Sequence, residues 1–412
     1  MLSRLVKNTF FKNSILYTLG SMITPLIGFI MLPVYTYYLS PAEYGIMTTV
    51  QTLIGLFELI LLLSLHVAVT RYYYDFLEEP QKQKEYLGTI FIFVLGFSSI
   101  LSLLFLFFSK SIGGILFNNI PIYPFFFYLV GLAWLSALFA LPLTFIRAQE
   151  KAGLFVLINI IKSILVVLLT FFFLVKLDLG AESALLSQLI ITFFMVLIVF
   201  YSQIKHIKLT FNLVFLKSSL FFSLPLLPHA ASGWIINASD RIILEKYVIH
   251  AQLGIYALAA QISMVLGMFY ISVNSALIPR YMRLRKEGNE KSAKNMLKAF
   301  AYVVIIFGVL AIPIAIYATK KLTSPEFHEA VEIIPILLLS QIVNGFYYIA
   351  VAKLFYHKKT KSIATSSTIS ALVNLIINIL FIPKIGIWGA VYSTIIAEIV
   401  RFISIYISGK KV

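Results

Sequence analysis

The sequence predicts an all-α polytopic membrane protein: twelve transmembrane helices in two six-helix lobes, with both termini cytoplasmic. Three observations carry this. Of the 412 residues, 60% are hydrophobic and only 12% are charged. A soluble domain carries about 25% charged residues, and its surface must stay wet after the core is full. Apolar runs of the length needed to cross a hydrocarbon layer recur along the whole chain. The basic residues between those runs fall mostly on alternate loops, which is the positive-inside pattern.

The runs lie at 13–38, 44–65, 87–108, 124–146, 153–175, 182–201, 218–238, 252–275, 299–318, 331–352, 363–382 and 389–407. The opening MLSRLVKNTFFKNS is basic but has no small-residue cleavage site after it. It is expected to lead into a retained first helix rather than a signal peptide. Span one carries Pro25 and Pro33, and span seven Pro225 and Pro228, at equivalent places. Bends are expected at both. The loops on the N-terminal side, from Arg4 through Arg71, Arg147, Lys205, the 280–298 loop and Lys353 to Lys410, hold 24 of the 33 Lys and Arg residues; the opposite loops hold 7. Lys162 and Arg401 lie inside spans. The longest loop, RYMRLRKEGNEKSAKNMLK (280–298), is basic and expected to be helical. It reads as a topology signal at anionic headgroups.

The net charge of +16 would suggest nucleic acid in a soluble chain, but here the charges sit in short loops and orientation explains them. There is no cysteine, which excludes disulfides and cysteine-based metal sites or nucleophiles.

The chain repeats at half its length. FFKNSILYTLG (10–20) resembles FLKSSLFFSLP (215–225), EYGI (43–46) resembles QLGI (252–255), and LGAESALLSQLI (179–190) falls on IGIWGAVYSTII (385–396). With six spans per copy the copies keep one orientation, giving an N-lobe of residues 1–208 and a C-lobe of 209–412. Parallel repeats of this kind are a transporter architecture, with substrate taken at the lobe interface.

Polar stripes at helical spacing must face protein or water. On span two, Thr48, Gln51, Thr52, Gly55, Glu58 and His66 share a stripe, and on span five Asn159, Lys162, Ser163 and Thr170 do. Small and polar residues also serve helix packing, which accounts for most of the Ser, Thr, Gly and Asn. Ionisable residues cost more, at least about 2.5–3.5 kcal/mol at the bilayer centre. Lys162 lies roughly 14 Å into its span at 1.5 Å per residue, where it is available to an anion, to a lipid-snorkelling role or to an ion pair. Glu398 and Arg401 are spaced to neutralise one another. Glu58 and Asp240 are candidates for coupling to a proton or Na⁺, with a structural carboxyl as the alternative. His229 sits between prolines and a glycine and reads as a core histidine or as lining a break. Arg71 and Arg147 follow spans two and four at the cytoplasmic face, as interfacial anchors or as forks for phosphate oxygens. The substrate-binding candidates are thus Lys162, Arg71, Arg147, Arg401, His229, Asn159 and Gln51; the coupling candidates are Glu58, Glu398 and Asp240.

Several pieces in order resemble the polysaccharide flippase family: YYLSPAEYGI (37–46), VTRYYYDF (69–76), FIRAQEKAG (145–153), SLPLLPHAASGWIINASDRIIL (223–244) and GIWGAVYSTIIAEIVRF (386–402). The resemblance runs through nearly the whole chain, and the S-D-R element after span seven is its sharpest piece. It implies a fold like that of the multidrug-and-toxin extruders, placed in the bacterial cytoplasmic membrane. It implies a polyprenyl (undecaprenyl) pyrophosphate-linked glycan as substrate, turned outward for O-antigen, capsule or other polysaccharide, with polymerase machinery as a partner. It implies a transporter without a cofactor rather than an enzyme. Relatives that flip the peptidoglycan precursor typically have two more spans. The rival expectations are a multidrug or cation antiporter of the same fold and a membrane glycosyltransferase or polymerase. The short outer loops, whose acids (Glu43, Asp178, Asp240, Glu245, Glu326, Glu329) form no recognisable pair, speak against the enzyme.

Overall fold

A computed structural model describes residues 27–357 and 359–410. Regular structure among them is entirely helical. Among the described residues, eleven helices are long and apolar enough to cross a membrane. The expected first span, with Pro25, and the copy of the repeat at 10–20 lie outside the described residues as far as residue 26. The remainder of that span is the helical turn 27–30 and α1 (Leu32–Tyr38).

α2 (Pro41–Leu62) opens on a capping box. The Ser40 hydroxyl accepts from the Glu43 backbone N–H at 3.3 Å, and the Glu43 carboxylate accepts from the Ser40 N–H at 2.9 Å. Each satisfies an N–H that the helix itself cannot. The expected second span then breaks. Leu63 and Ser64 adopt left-handed φ of 49° and 55°, and a separate helix, α3 (Leu65–Asp75), follows. His66 is therefore not on the continuous helix that carries Thr48, Gln51 and Glu58, because a left-handed residue ends the hydrogen-bond ladder and resets the helical phase.

The next elements are α4 (Pro80–Phe107), α5 (Ser109–Leu116), α6 (Ile122–Ala148), α7 (Ala152–Lys176) and α8 (Glu182–Gln203). Span seven is interrupted as its prolines lead one to expect: α9 (Leu213–Ser223), a 3₁₀ turn at Leu224–Leu226, then α10 (Leu227–Tyr247). Beyond it run α11 (His250–Lys286), α12 (Glu290–Leu322), α13 (Ala330–Tyr356), α14 (Thr360–Ile385) and α15 (Ile387–Lys410). The 280–298 loop is helical except at its turn, where Gly288 takes φ +75°.

Two compact units form. The first contains Met47–Ala231 with the segment ending at Val34; the second contains Tyr35–Ile46 with Ser232–Val412. In the first, α6 is the hub and packs on α3, α4, α5, α7 and α8. In the second, α13 packs on α11, α12, α14 and α15. Each hub is the fourth span of its sequence copy. Outer helices turn Leu103, Phe107, Leu168, Phe172, Val309, Tyr317 and Leu380 outward, the surface that a hydrocarbon solvent demands.

The sequence repeat divides at 208/209, but packing groups α9 with the first unit. The strap at 207–212 explains this. Lys208 N–H donates to the Lys84 carbonyl at 3.0 Å, its ammonium meets Glu85 at 2.7 Å, and Asn212 N–H donates to the Thr89 hydroxyl at 3.1 Å. A Cβ on Gly88 would lie 1.7 Å from the Lys208 carbonyl oxygen, so glycine permits this approach.

In the second unit the first turns of α2 and α11 cross through Gly45 and Gly254. These are the matched glycines of EYGI and QLGI. A Cβ at Gly254 would stand 1.9 Å from the Pro41 carbonyl oxygen, and one at Gly45 would stand 2.6 Å from that of His250. Beside them the Tyr44 hydroxyl donates to Gln261 at 2.7 Å.

Candidate functional site

Lys162 sits on α7, a helix with no other charged side chain between Ala152 and Thr170. Its ammonium is turned onto the Phe139 ring of α6, 4.3 Å from the centroid. Phe139 belongs to a buried cluster with Ile146, Phe155, Ile158, Met195 and Val199. Lys162 therefore faces the helix at the centre of its unit and not acyl chains. The ring face offsets part of the cost of desolvation yet accepts no conventional hydrogen bond. Among the described residues Lys162 makes no hydrogen bond or salt bridge, so its three donors remain unspent.

Glu58, on α2, is the acidic group in electrostatic reach of Lys162. The two form no salt bridge, and Glu58 makes no hydrogen bond among the described residues. From sequence Glu58 had no local partner, because the two sit on helices a hundred residues apart. Gln51 is half-buried on α2, one face with Glu58. Asn159 donates to the Phe155 carbonyl of its own helix at 2.8 Å, which spends one donor and leaves its carbonyl oxygen.

The two arginines expected at the cytoplasmic face rest on aromatic rings of the first unit. Arg71, on α3, lies 4.9 Å over Phe222 of α9, with Asp75 3.9 Å away on its own helix. Arg147, in the last turn of α6, lies 5.3 Å over Phe155 of α7. Guanidinium stacking of this kind fixes the plane of the fork. Tyr74 donates to the Ala148 carbonyl at 3.2 Å and ties α3 to the end of α6. His66 lies within the same region, its Nδ1 buried without a partner. Burial and the nearby Arg147 hold His66 below the ordinary histidine range.

Of the two readings of His229, the core histidine does not hold. It is exposed, not a satisfied core residue. It lies three residues beyond the 3₁₀ turn at Leu224–Leu226, in the first turn of α10 and ahead of the buried Ser232, Ile236 and Ser239.

The other candidates lie in the second unit. Arg401 donates from Nη1 to Glu398 Oε1 at 3.3 Å, as their spacing leads one to expect. Its guanidinium also covers the Tyr347 ring of α13, 3.9 Å from the centroid. Asp240 is buried and doubly engaged: it accepts from the Arg241 N–H at 2.7 Å and from the Tyr256 hydroxyl. Nearby, Asn374, Asn378, Ser393 and Ser239 form one buried network joining α10, α14 and α15. Ser370 closes the α14–α15 contact on the Ala397 carbonyl at 2.8 Å. These hydrogen bonds are the polar glue between membrane helices.

Sequence reasoning missed the aromatic partners. Phe139, Phe222, Phe155 and Tyr347 each carry a cation, but they are four among 59 Phe and Tyr residues. A sequence offers no signal for which ring lies under which charge.

Comparison with known proteins adds the following. The profile of the family described as polysaccharide biosynthesis protein matches residues 10–285. The MatE profile matches residues 225–380. The chain is 25% identical over 417 residues to "Lsg locus putative protein 1" of Haemophilus influenzae, covering 92% of this chain and 95% of that one. It is 26% identical over 223 residues to "Capsular polysaccharide biosynthesis protein CapF" of Staphylococcus aureus, covering 51% and 55% of the two chains. Among solved structures, "Lipid II flippase MurJ, inward closed conformation" superposes with a TM-score of 0.76 at 18% identity, covering 96% of this chain and 87% of that one. An inward-facing multidrug resistance MATE family transporter superposes with a TM-score of 0.69 at 14% identity, covering 97% of each. At these identities the structural likeness establishes the fold, which is that of the MATE and MurJ transporters.

Proposed function

Because this chain belongs to the polysaccharide biosynthesis protein family, we propose that it is a flippase for undecaprenyl-pyrophosphate-linked oligosaccharide repeat units. It carries them from the cytoplasmic to the outer leaflet of the bacterial inner membrane by alternating access, for surface polysaccharide such as O-antigen or capsule. The observation that carries the reading is Lys162: an ammonium with unspent donors among the described residues, held over Phe139 well inside a helix with no other charge before Lys176. A diphosphate is the chemistry such a group suits, since charge-assisted hydrogen bonds to phosphate oxygens are the strong kind. Arg71 and Arg147 receive the diphosphate at the cytoplasmic face, with their forks pre-oriented by Phe222 and Phe155. Lys162 takes it deeper, with Asn159 and Gln51 as neutral partners, while the prenyl chain stays in lipid. Glu58 balances Lys162 when no anion is bound and is the group through which a proton or Na⁺ couples. Polymerase machinery takes the glycan on the outer side.

The test is deletion of the gene followed by lipid extraction and leaflet assignment with a membrane-impermeant lectin. The expected result is undecaprenyl-linked repeat units accumulating on the cytoplasmic leaflet, restored by the wild-type gene and not by Lys162→Met. Normal surface glycan in the deletion strain overturns the reading.

A second reading, a multidrug or cation antiporter, is favoured by one observation: Glu58 makes no hydrogen bond or salt bridge among the described residues, as a cation-exchanging carboxylate requires. Loss of drug tolerance on deletion, with surface polysaccharide intact, selects it.

A further inference from the structure

The second unit contains a polar cluster that the diphosphate reading does not use. It is built on α13 and α15, which pack directly against each other. Asn344 lies fourteen residues into α13 and Arg401 fourteen residues into α15. At 1.5 Å per residue both sit about 21 Å from the start of their helix. Glu398 and Arg401 pair at 3.3 Å, with side chains 7% and 17% exposed. Tyr347 supports the guanidinium from below and is itself held by Ser367 at 3.4 Å. Tyr348, half-buried, has its hydroxyl beside the Asn344 amide and lies in electrostatic reach of both charges. Gln341 accepts from Asn344 at 3.4 Å.

Among the described residues, three atoms of this cluster are buried without a partner: Asn344 Oδ1, Glu398 Oε2 and Arg401 Nε. Buried polar atoms are normally paired, so two unpaired acceptors and one unpaired donor in one place call for a ligand or water. The charges identify its class. Glu398 disfavours an anion and Arg401 disfavours a cation. The pair cancels, and what remains is an array of hydrogen-bond acceptors and donors beside two tyrosine rings. A neutral polyhydroxylated group matches that array. Vicinal hydroxyls would donate to the Glu398 and Asn344 oxygens while one accepts from Arg401 Nε.

We infer that this cluster is a hexose-binding site, which recognises the hydroxyls of the glycan while other residues hold its diphosphate. The inference rests on the proposed lipid-linked glycan substrate and adds where the sugar is read.

The experiment compares two probes on the purified full chain in nanodiscs: undecaprenyl diphosphate and the same lipid bearing one hexose. The expected result is that the glycosylated lipid binds about tenfold tighter, the effect of one or two net hydrogen bonds. Asn344→Ala and Tyr348→Phe should each remove most of that difference and leave the affinity for undecaprenyl diphosphate unchanged. Neither variant strands Arg401 without its counter-charge, and the retained affinity for the bare lipid certifies that each is folded. Equal binding of the two lipids by the wild type overturns the inference and leaves the flippase reading standing. So does a variant that keeps the full difference. Absence of binding to either lipid overturns both.

Discussion

Replacing Gly254 by alanine tests the crossing of α2 and α11. The added Cβ would stand 1.9 Å from the Pro41 carbonyl oxygen, 2.7 Å from the Pro41 carbonyl carbon and 3.2 Å from the Gly45 nitrogen. All three are backbone atoms, so no rotamer change relieves the clash. The two helices must part by more than 1 Å to reach ordinary contact, in a region where Leu253, Tyr256 and Tyr44 are fully buried. Overpacking of this kind costs typically about 1–3 kcal/mol, and a rigid backbone obstacle puts Gly254→Ala at the upper end. Helix propensity pulls the other way, since alanine is favoured over glycine by about 1 kcal/mol within a helix. The net expectation is a loss of about 2 kcal/mol. Gly96→Ala in α4 is the matched control: a Cβ there meets nothing within 4 Å, so only the favourable propensity term remains. Thermal unfolding of the full-length protein in detergent, followed by size-exclusion chromatography, compares the two variants with the wild type. A Gly254→Ala protein that melts at or above the Gly96→Ala protein would refute the close crossing.

Other perturbations have equally definite outcomes. Glu398→Gln leaves Arg401 buried without its counter-charge and should cost about 3–5 kcal/mol, read as a lower melting temperature. The charge reversal of both residues should restore part of the loss. Lys162→Met keeps the apolar contact with Phe139 and should preserve the melting temperature, while complementation of surface polysaccharide drops at least about tenfold. His66 resists protonation in the folded protein, whereas the unfolded chain protonates it near pH 6.5. Its contribution to stability is therefore full above about pH 6.5 and falls as pH drops below it, by up to about 1.4 kcal/mol per pH unit. The melting temperature of His66→Asn should fall less than that of the wild type between pH 7.5 and 5.5. Glu43→Ala removes half of the capping box on α2 and should cost about 1 kcal/mol.

Composition and charge alone determined the architecture of this chain. Lipid leaves the backbone no partner but itself, so every long apolar run must be a helix, and loop charge orients the set. The resemblance of EYGI to QLGI marked Gly45 and Gly254, the glycines at which α2 and α11 cross. Spacing along one helix gave the Glu398–Arg401 pair, because three residues nearly close a turn. What sequence did not reveal depends on two elements meeting. The left-handed Leu63 and Ser64 that cut span two leave no mark, since neither residue favours that backbone. Phe139 beneath Lys162, Glu58 within its reach, and the grouping of Asn344, Tyr348 and Arg401 each join residues distant in the chain. Periodicity fixes which face of a helix a side chain occupies, and only the packing of a second helix decides what that face meets.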